Sequence, residues 1–220
     1  MANERTWFGG FESAFHDVDG VRMFVRIGGR IDAPPLLLLH GFPQTHAMWQ
    51  RVAQRLAPHF QLVLPDLRGY GDSGKPPGDP DHAPLPERLI GADPRFYLHA
   101  SLGGWGSRGR DHIEPQALSD YERCFGVPET IHAACEDYRA SAGIDLEHDR
   151  ASRAASERIA CDLLVLWGER GVVQRLFNPL ALWRAQCAGS VSGHAMTAGH
   201  FIPEELPEET AQALLGFFGA

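Results

Sequence analysis

The chain has 220 residues and a formal net charge of -8, with 20 basic against 28 acidic side chains. That length suits one domain, or one domain with an insertion, and can bury a sizeable core. The acidic balance argues against a nucleic-acid partner, and no apolar run reaches membrane-spanning length.

Residues 1–10 lack a basic head followed by an apolar stretch, so no secretory leader is expected. Cys124, Cys135, Cys161 and Cys187 show neither C-x-x-C pairing nor zinc-ligand spacing and read as small buried apolar groups. The expectation is a soluble, reduced, cytoplasmic protein.

Two β-rich runs, residues 11–18 and 21–27, open the chain around Asp19-Gly20, a strong hairpin signal. Four leucines at 36–39 follow, between Pro35 and a Gly/Pro turn. They read as a strand buried on both faces, ending in His40-Gly41-Phe42-Pro43. Gly41 permits a tight turn there and leaves a backbone N–H facing the crevice at the strand's carboxyl end. A donor so placed can stabilise an oxyanion.

Thr45 can cap the next helix, whose apolar face is Met48, Val52 and Leu56 and which Pro58 stops. A strand at 61–64 then leads into Pro65-Asp66-Leu67-Arg68-Gly69-Tyr70-Gly71-Asp72-Ser73-Gly74. Strand, helix and strand on short links make a βαβ unit and a parallel sheet. Residues 75–86 carry no periodicity and much proline, and read as loop.

Helical periodicity governs the stretch to about Arg158. Pro115 and Pro128 stand at first-turn positions, Gly126 and Gly143 at helix ends. Ile131, Cys135 and Tyr138 share a face by i, i+4, i+7 spacing. Strand character returns at 161–167 and near 190–196. Between them lies a helix capped by Asn178 with Pro179 first, and a last helix spans about 204–218. The division is 1–83 and 159–220 for an α/β core and 84–158 for a helical insertion.

Three motifs then carry a family likeness: the leucine run with His40-Gly-Phe-Pro-Gln, then Asp66 to Gly74, then Ala198-Gly-His200-Phe. In that order and at strand ends they resemble the α/β-hydrolase fold, a mostly parallel sheet flanked by helices under a helical cap. Ile90-Gly-Ala-Asp-Pro, Gly104-Trp-Gly and Ile131-His-Ala-Ala-Cys-Glu-Asp-Tyr138-Arg-Ala are similar to the cap of the haloacetate (fluoroacetate) dehalogenases.

The resemblance implies hydrolytic halide release from a short 2-haloacid through an Asp ester, without cofactor or metal. It implies His200 as the water-activating base and Phe42 as an oxyanion-hole backbone N–H. Tyr138 would direct its hydroxyl from the cap at the leaving halide. His40 and Gly41 would line the pocket, although a strand-end His bonded to backbone is the plain alternative for His40. The implied partner is a small-molecule substrate, a short haloacid or a related ester or epoxide, with a homodimer possible.

One part of the pattern is missing. Neither G-x-S-x-G nor G-H-D-x-G occurs, so the chain carries no nucleophile elbow. The nearest sequences, around Ser101 and at 71–74, lack a preceding buried strand or lie too early. The chain passes from Gly74 almost directly into the cap, where the family has two strand–helix steps. At about 30 residues a step, roughly 60 to 90 residues are absent.

The strands at 36–39 and 161–167 are therefore expected either to pair directly or to leave a gap. Glu169 could orient His200 but reads more simply as a solvated loop acid, and Asp66 and Asp72 read as turn-formers. His132 with Cys135, or His148 among Asp145, Glu147 and Asp149, fit a solvated helix face better than a metal site. Three functions remain open: an inactive dehalogenase-type hydrolase, with epoxide or ester hydrolysis as the variant chemistry; a non-catalytic binding remnant; and a fragment without function.

Overall fold

The structure is a computed structural model that describes residues 7–78, 82 and 84–220. The sequence readings for residues 1–6, for 79–81 and for the 83/84 boundary lie outside the described residues.

The hairpin forms as its turn chemistry dictates. Asp19 and Gly20 both take positive φ, 50° and 75°, which matches the twist of the flanking strands. β1 (Phe11–Val18) pairs antiparallel with β2 (Val21–Gly29) along its whole length. β2 runs on antiparallel to β4 (Gln61–Pro65), and β3 (Pro35–Leu37) lies parallel to β4, giving the order β1-β2-β4-β3. Between β3 and β4 the chain makes a 3-10 turn, His46–Trp49, then α1 (Gln50–Leu56). Thr45 Oγ1 caps the turn by accepting from the Ala47 N–H at 3.2 Å.

Val52, Ala53 and Leu56 of α1 pack against Phe60, Leu62 and Leu64. Leu56, Leu62 and Leu64 are completely buried, each worth about 2 kcal/mol of apolar burial.

Five helices follow: α2 (Leu85–Ala92), α3 (Pro94–Trp105), α4 (Pro115–Phe125), α5 (Pro128–Ala142) and α6 (Ile144–Ala154). Proline opens α3, α4 and α5, where its missing N–H costs nothing. Leu98 and Leu102 of α3, Tyr121 and Phe125 of α4 and Ile131 and Cys135 of α5 share one buried cluster. Tyr138 does not join Ile131 and Cys135 in it. It is 57% exposed, because the α5 face turns away from that core by its last turns.

β5 (Leu163–Gly168) and β6 (Val191–Met196) form a second, separate sheet of two parallel strands. β3 and β5 do not pair, so of the two expected arrangements the gap is the one found. Both strands are more open than the sequence suggests. β3 is three residues long with Leu37 57% exposed, Leu39 beyond it is half-exposed, and residues 163–167 are only half-buried. A strand is buried on both faces only with neighbours on both edges and helices across both faces, and here each has one neighbour.

α7 (Val172–Leu176) and α8 (Pro179–Gln186) flank this small sheet, with Asn178 Oδ1 capping α8 as expected. Cys161 is exposed, because it precedes the strand rather than lying in it; the other three cysteines are buried. The final helix is two, α9 (Ile202–Glu205) and α10 (Pro207–Phe218). Pro207 forces Leu206 out of the helical region, to φ -136° and ψ 62°.

Candidate active site

The turn after β3 is fixed by backbone-directed hydrogen bonds. His40 is buried, its Nε2 accepts the Leu67 N–H at 2.9 Å, and its Nδ1 donates toward Gly41 O at 3.2 Å. Both ring nitrogens are therefore used on main chain. Burial lowers the His40 pKa, only partly offset by the Gly41 carbonyl, which keeps the ring neutral. His40 thus ties the β3 turn to the β4 turn and does not line the cavity beside it.

That cavity holds about 200 Å³ and is lined by Gly41, Phe42, Leu67, Tyr70, Asp137 and Tyr138. Gly41, Phe42 and Tyr138, three residues singled out from sequence, come together here. The Tyr138 ring meets the Phe42 ring edge-on at 5.5 Å between centroids. Among the described residues nothing accepts the Phe42 N–H. Burial raises the Tyr138 pKa, so its hydroxyl stays a donor.

Helices α4 and α5 are tied to the β4 turn beside this cavity. The Tyr70 hydroxyl donates to Asp137 Oδ2 at 2.7 Å, and Arg123 of α4 forks onto both Asp72 oxygens at 2.7 and 2.9 Å. Gly69, at φ 87°, lets the loop touch α5, since a Cβ there would stand 2.5 Å from the Ala133 Cβ. Beneath the loop Asp66 is fully buried. Its Oδ1 accepts from the His46 N–H and from His46 Nδ1–H, and its Oδ2 accepts the Asp72 N–H. Arg26 Nε–H donates to His46 Nε2 and completes the chain. Burial alone would raise the Asp66 pKa, but the His46 contacts override it and the net shift is downward. Asp66 is a turn-former, with a buried His as its partner.

His200 follows β6, at an exposed turn. Its N–H donates to Trp105 O at 2.9 Å, and its ring packs edge-on against Trp105 and Phe201. Trp105 also neighbours Phe42, at 6.1 Å between centroids, so the indole stands between the two. Partial burial lowers the His200 pKa, against a pull from Glu205. Among the described residues no carboxylate bonds the His200 imidazole. Glu169 is exposed and faces Arg170 at 3.8 Å.

What holds the His200 loop is a residue the sequence reading passed over. Glu205 accepts the N–H groups of Gly199 (3.0 Å), Phe201 (3.2 Å) and Ser107 (3.1 Å), and also the Ser107 hydroxyl. The signal was available: an acid in the first turn of a helix reaches back to the capping N–H. Next to it, Glu204 accepts from Tyr121 OH at 2.9 Å and from Gln44. Burial raises its pKa to about 7.

Glu87, His132 and Glu136 bring ligand atoms within 4.8 Å of one another. The Arg139 guanidinium already bridges both carboxylates, and His132 Nε2 accepts the Gly78 N–H. This is an ion-pair network holding α2 to α5. Cys135 takes no part in it, and the acids around His148 are solvated on α6.

A strand–helix–strand unit ending in glycine-rich turns, helices packed over it and a second pair of parallel strands belong to a known fold class. A sequence model of the α/β-hydrolase fold matches residues 34–111, and the chain belongs to this family. Within it, the chain is 30% identical to a fluoroacetate dehalogenase from Burkholderia sp.. That alignment covers 96% of this chain and 94% of the relative and runs over 292 positions. A solved structure from Nostoc sp. PCC 7120, described as an α/β hydrolase, superposes with TM-score 0.91 at 35% identity, over 96% of this chain and 99% of that one. A Pseudomonas aeruginosa protein described as an epoxide hydrolase gives TM-score 0.87 at 32% identity, over 96% and 97% of the two chains.

Proposed function

We propose that this chain is a dehalogenase-type α/β hydrolase, shortened internally, that binds a small haloacid-like molecule beside Phe42 and Tyr138 without turning it over. The observation that carries this reading is the isolation of His200. A base in this chemistry needs a carboxylate hydrogen-bonded to its ring and an ester to attack; among the described residues no carboxylate bonds the His200 imidazole, and Glu205 is engaged by backbone N–H groups.

The alignment supports the shortening. Its 292 positions exceed the 220 residues of the chain, so at least 72 positions of the relative have no counterpart here. The open edges of β3 and β5 are where two strands with their helices would fit. In this reading Phe42 N–H is an oxyanion donor, Tyr138 OH a donor to the departing halide and the helices over 84–158 a cap. A cavity of about 200 Å³ admits only a ligand of a few heavy atoms, below the usual drug-sized range.

The test is halide release from fluoroacetate and chloroacetate by the purified 220-residue protein, with ligand binding followed in parallel. Saturable haloacetate binding with no halide release is the expected result. Release that disappears in His200→Ala would show that the chain holds a nucleophile and would overturn the reading. Epoxide hydrolysis is the second reading, favoured by the Pseudomonas likeness. Diol formation from a small epoxide would select it.

A further inference from the structure

The cavity beside Phe42 has a definite polarity. Phe42, Tyr70 and Tyr138 give it aromatic walls, and Asp137 gives it a carboxylate; among the described residues no Lys, Arg or His lines it. Asp137 stands on α5, where its Oδ2 accepts the Tyr70 hydroxyl at 2.7 Å. Its Oδ1 accepts no hydrogen bond among the described residues. Burial and then the Asp137 bond raise the Tyr70 pKa, so that hydroxyl stays protonated and committed to the acid. Basic residues of the surrounding elements are engaged elsewhere. Arg123 forks onto Asp72, Arg139 binds Glu87, and Arg68 lines a neighbouring cavity of about 360 Å³ that shares Asp137. Two donors, Phe42 N–H and Tyr138 O–H, therefore meet one open acceptor, Asp137 Oδ1, around a space for a few heavy atoms.

We propose that this cavity selects the neutral primary amide of a short haloacid, a haloacetamide, over the haloacid anion. The inference rests on the reading of this cavity as the binding site and names its ligand class. A carboxylate offers only acceptors, whereas a primary amide carries an acceptor and two donors on adjacent atoms. The amide oxygen takes the Phe42 N–H or the Tyr138 O–H while its NH₂ donates to Asp137. A haloacetate has nothing to give Asp137, and it brings a second negative charge into the same small space with no cation between them. The net charge of -8 on the chain adds to the opposition. A small organic cation would satisfy Asp137 but leave both donors without an acceptor. Only a group with both polarities answers all three.

Fluorine NMR of fluoroacetamide and fluoroacetate, each titrated with the full chain, measures the two affinities. Fluoroacetamide is expected to bind roughly tenfold more tightly or better, with fluoroacetate saturable but weak. Asp137→Asn keeps an oxygen for the Tyr70 hydroxyl and removes the charge. It should strengthen fluoroacetate binding by about tenfold and move fluoroacetamide by less than about threefold. Fluoroacetate binding as tightly as the amide to the parent chain overturns this inference and leaves the haloacid reading standing. If neither molecule binds, both readings fail. An unchanged ratio in a folded Asp137→Asn also overturns the inference, as does displacement of fluoroacetamide by methylammonium in preference to acetamide. Should the variant not fold, the parent ratio and the displacement series decide.

Discussion

The two sheets of this molecule are made of similar residues and end up in different physical states. β4 and β5 are both short, apolar and parallel to a neighbour. Leu62 and Leu64 of β4 are fully buried between β2, β3 and α1, whereas residues 163–167 of β5 stay half-exposed on a two-stranded ribbon. Burial of a strand is thus a property of its neighbours. The leucine run at 36–39 makes the same point, since its composition asks for an interior it does not reach.

The sharpest way to break this contrast is in the anchored half. Asp66→Asn removes the buried carboxylate that gathers the His46 N–H, the His46 ring and the Asp72 N–H, and should cost roughly 3 kcal/mol or more of unfolding free energy by urea titration, since several bonds to one charged acceptor weaken together. A loss near zero would mean that the β4 turn is not what organises the N-terminal half. Next, Leu62→Ala should cost about 3 kcal/mol, while Val165→Ala on β5 should cost about 1 kcal/mol or less. Equal losses would erase the distinction between the sheets.

A third effect depends on pH. The folded state holds the Glu204 proton up to about pH 7, against an ordinary value of 4.5. The folded chain therefore binds more protons than the unfolded one across that interval, and stability falls as pH rises through it. Glu204→Gln removes this slope. Its stability relative to the parent should climb by about 3 kcal/mol between those pH values and stay level above, as melting curves at several pH values would reveal. Arg123→Ala, which releases α4 from Asp72, should cost only about 0.5 to 1 kcal/mol because the pair is exposed. Smallest of all, Leu176→Ser should lie within about 0.5 kcal/mol of the parent; a larger loss there would mean that α7 is packed after all.

Local chemistry was legible in the sequence and neighbourhood was not. Asp19-Gly20, Thr45, Pro115, Pro128 and Asn178 act through backbone geometry within a few residues, and each sits where its chemistry places it. Gly41, Phe42 and Tyr138 were named from motifs and share a cavity. His40 satisfies backbone, the alternative its strand-end position allowed. The openness of β3 and β5 could not be read from the strands themselves, because it depends on which chain lies beside them. Glu205 escaped notice since a solvated helix-start acid and one that gathers three backbone N–H groups look alike in sequence.

The grip of Glu205 also bears on repair. It fixes the turns at Ser107 and at 199–201 through bonds that involve neither sheet. The geometry of the histidine loop is thereby decoupled from strand continuity. In the shortened-hydrolase reading, a chain lengthened after Gly74 by two strand–helix steps would meet a histidine turn already set and helices already fastened by Arg123 and Tyr70. Only the inserted segment would have to find its place, and the rest would need no retuning.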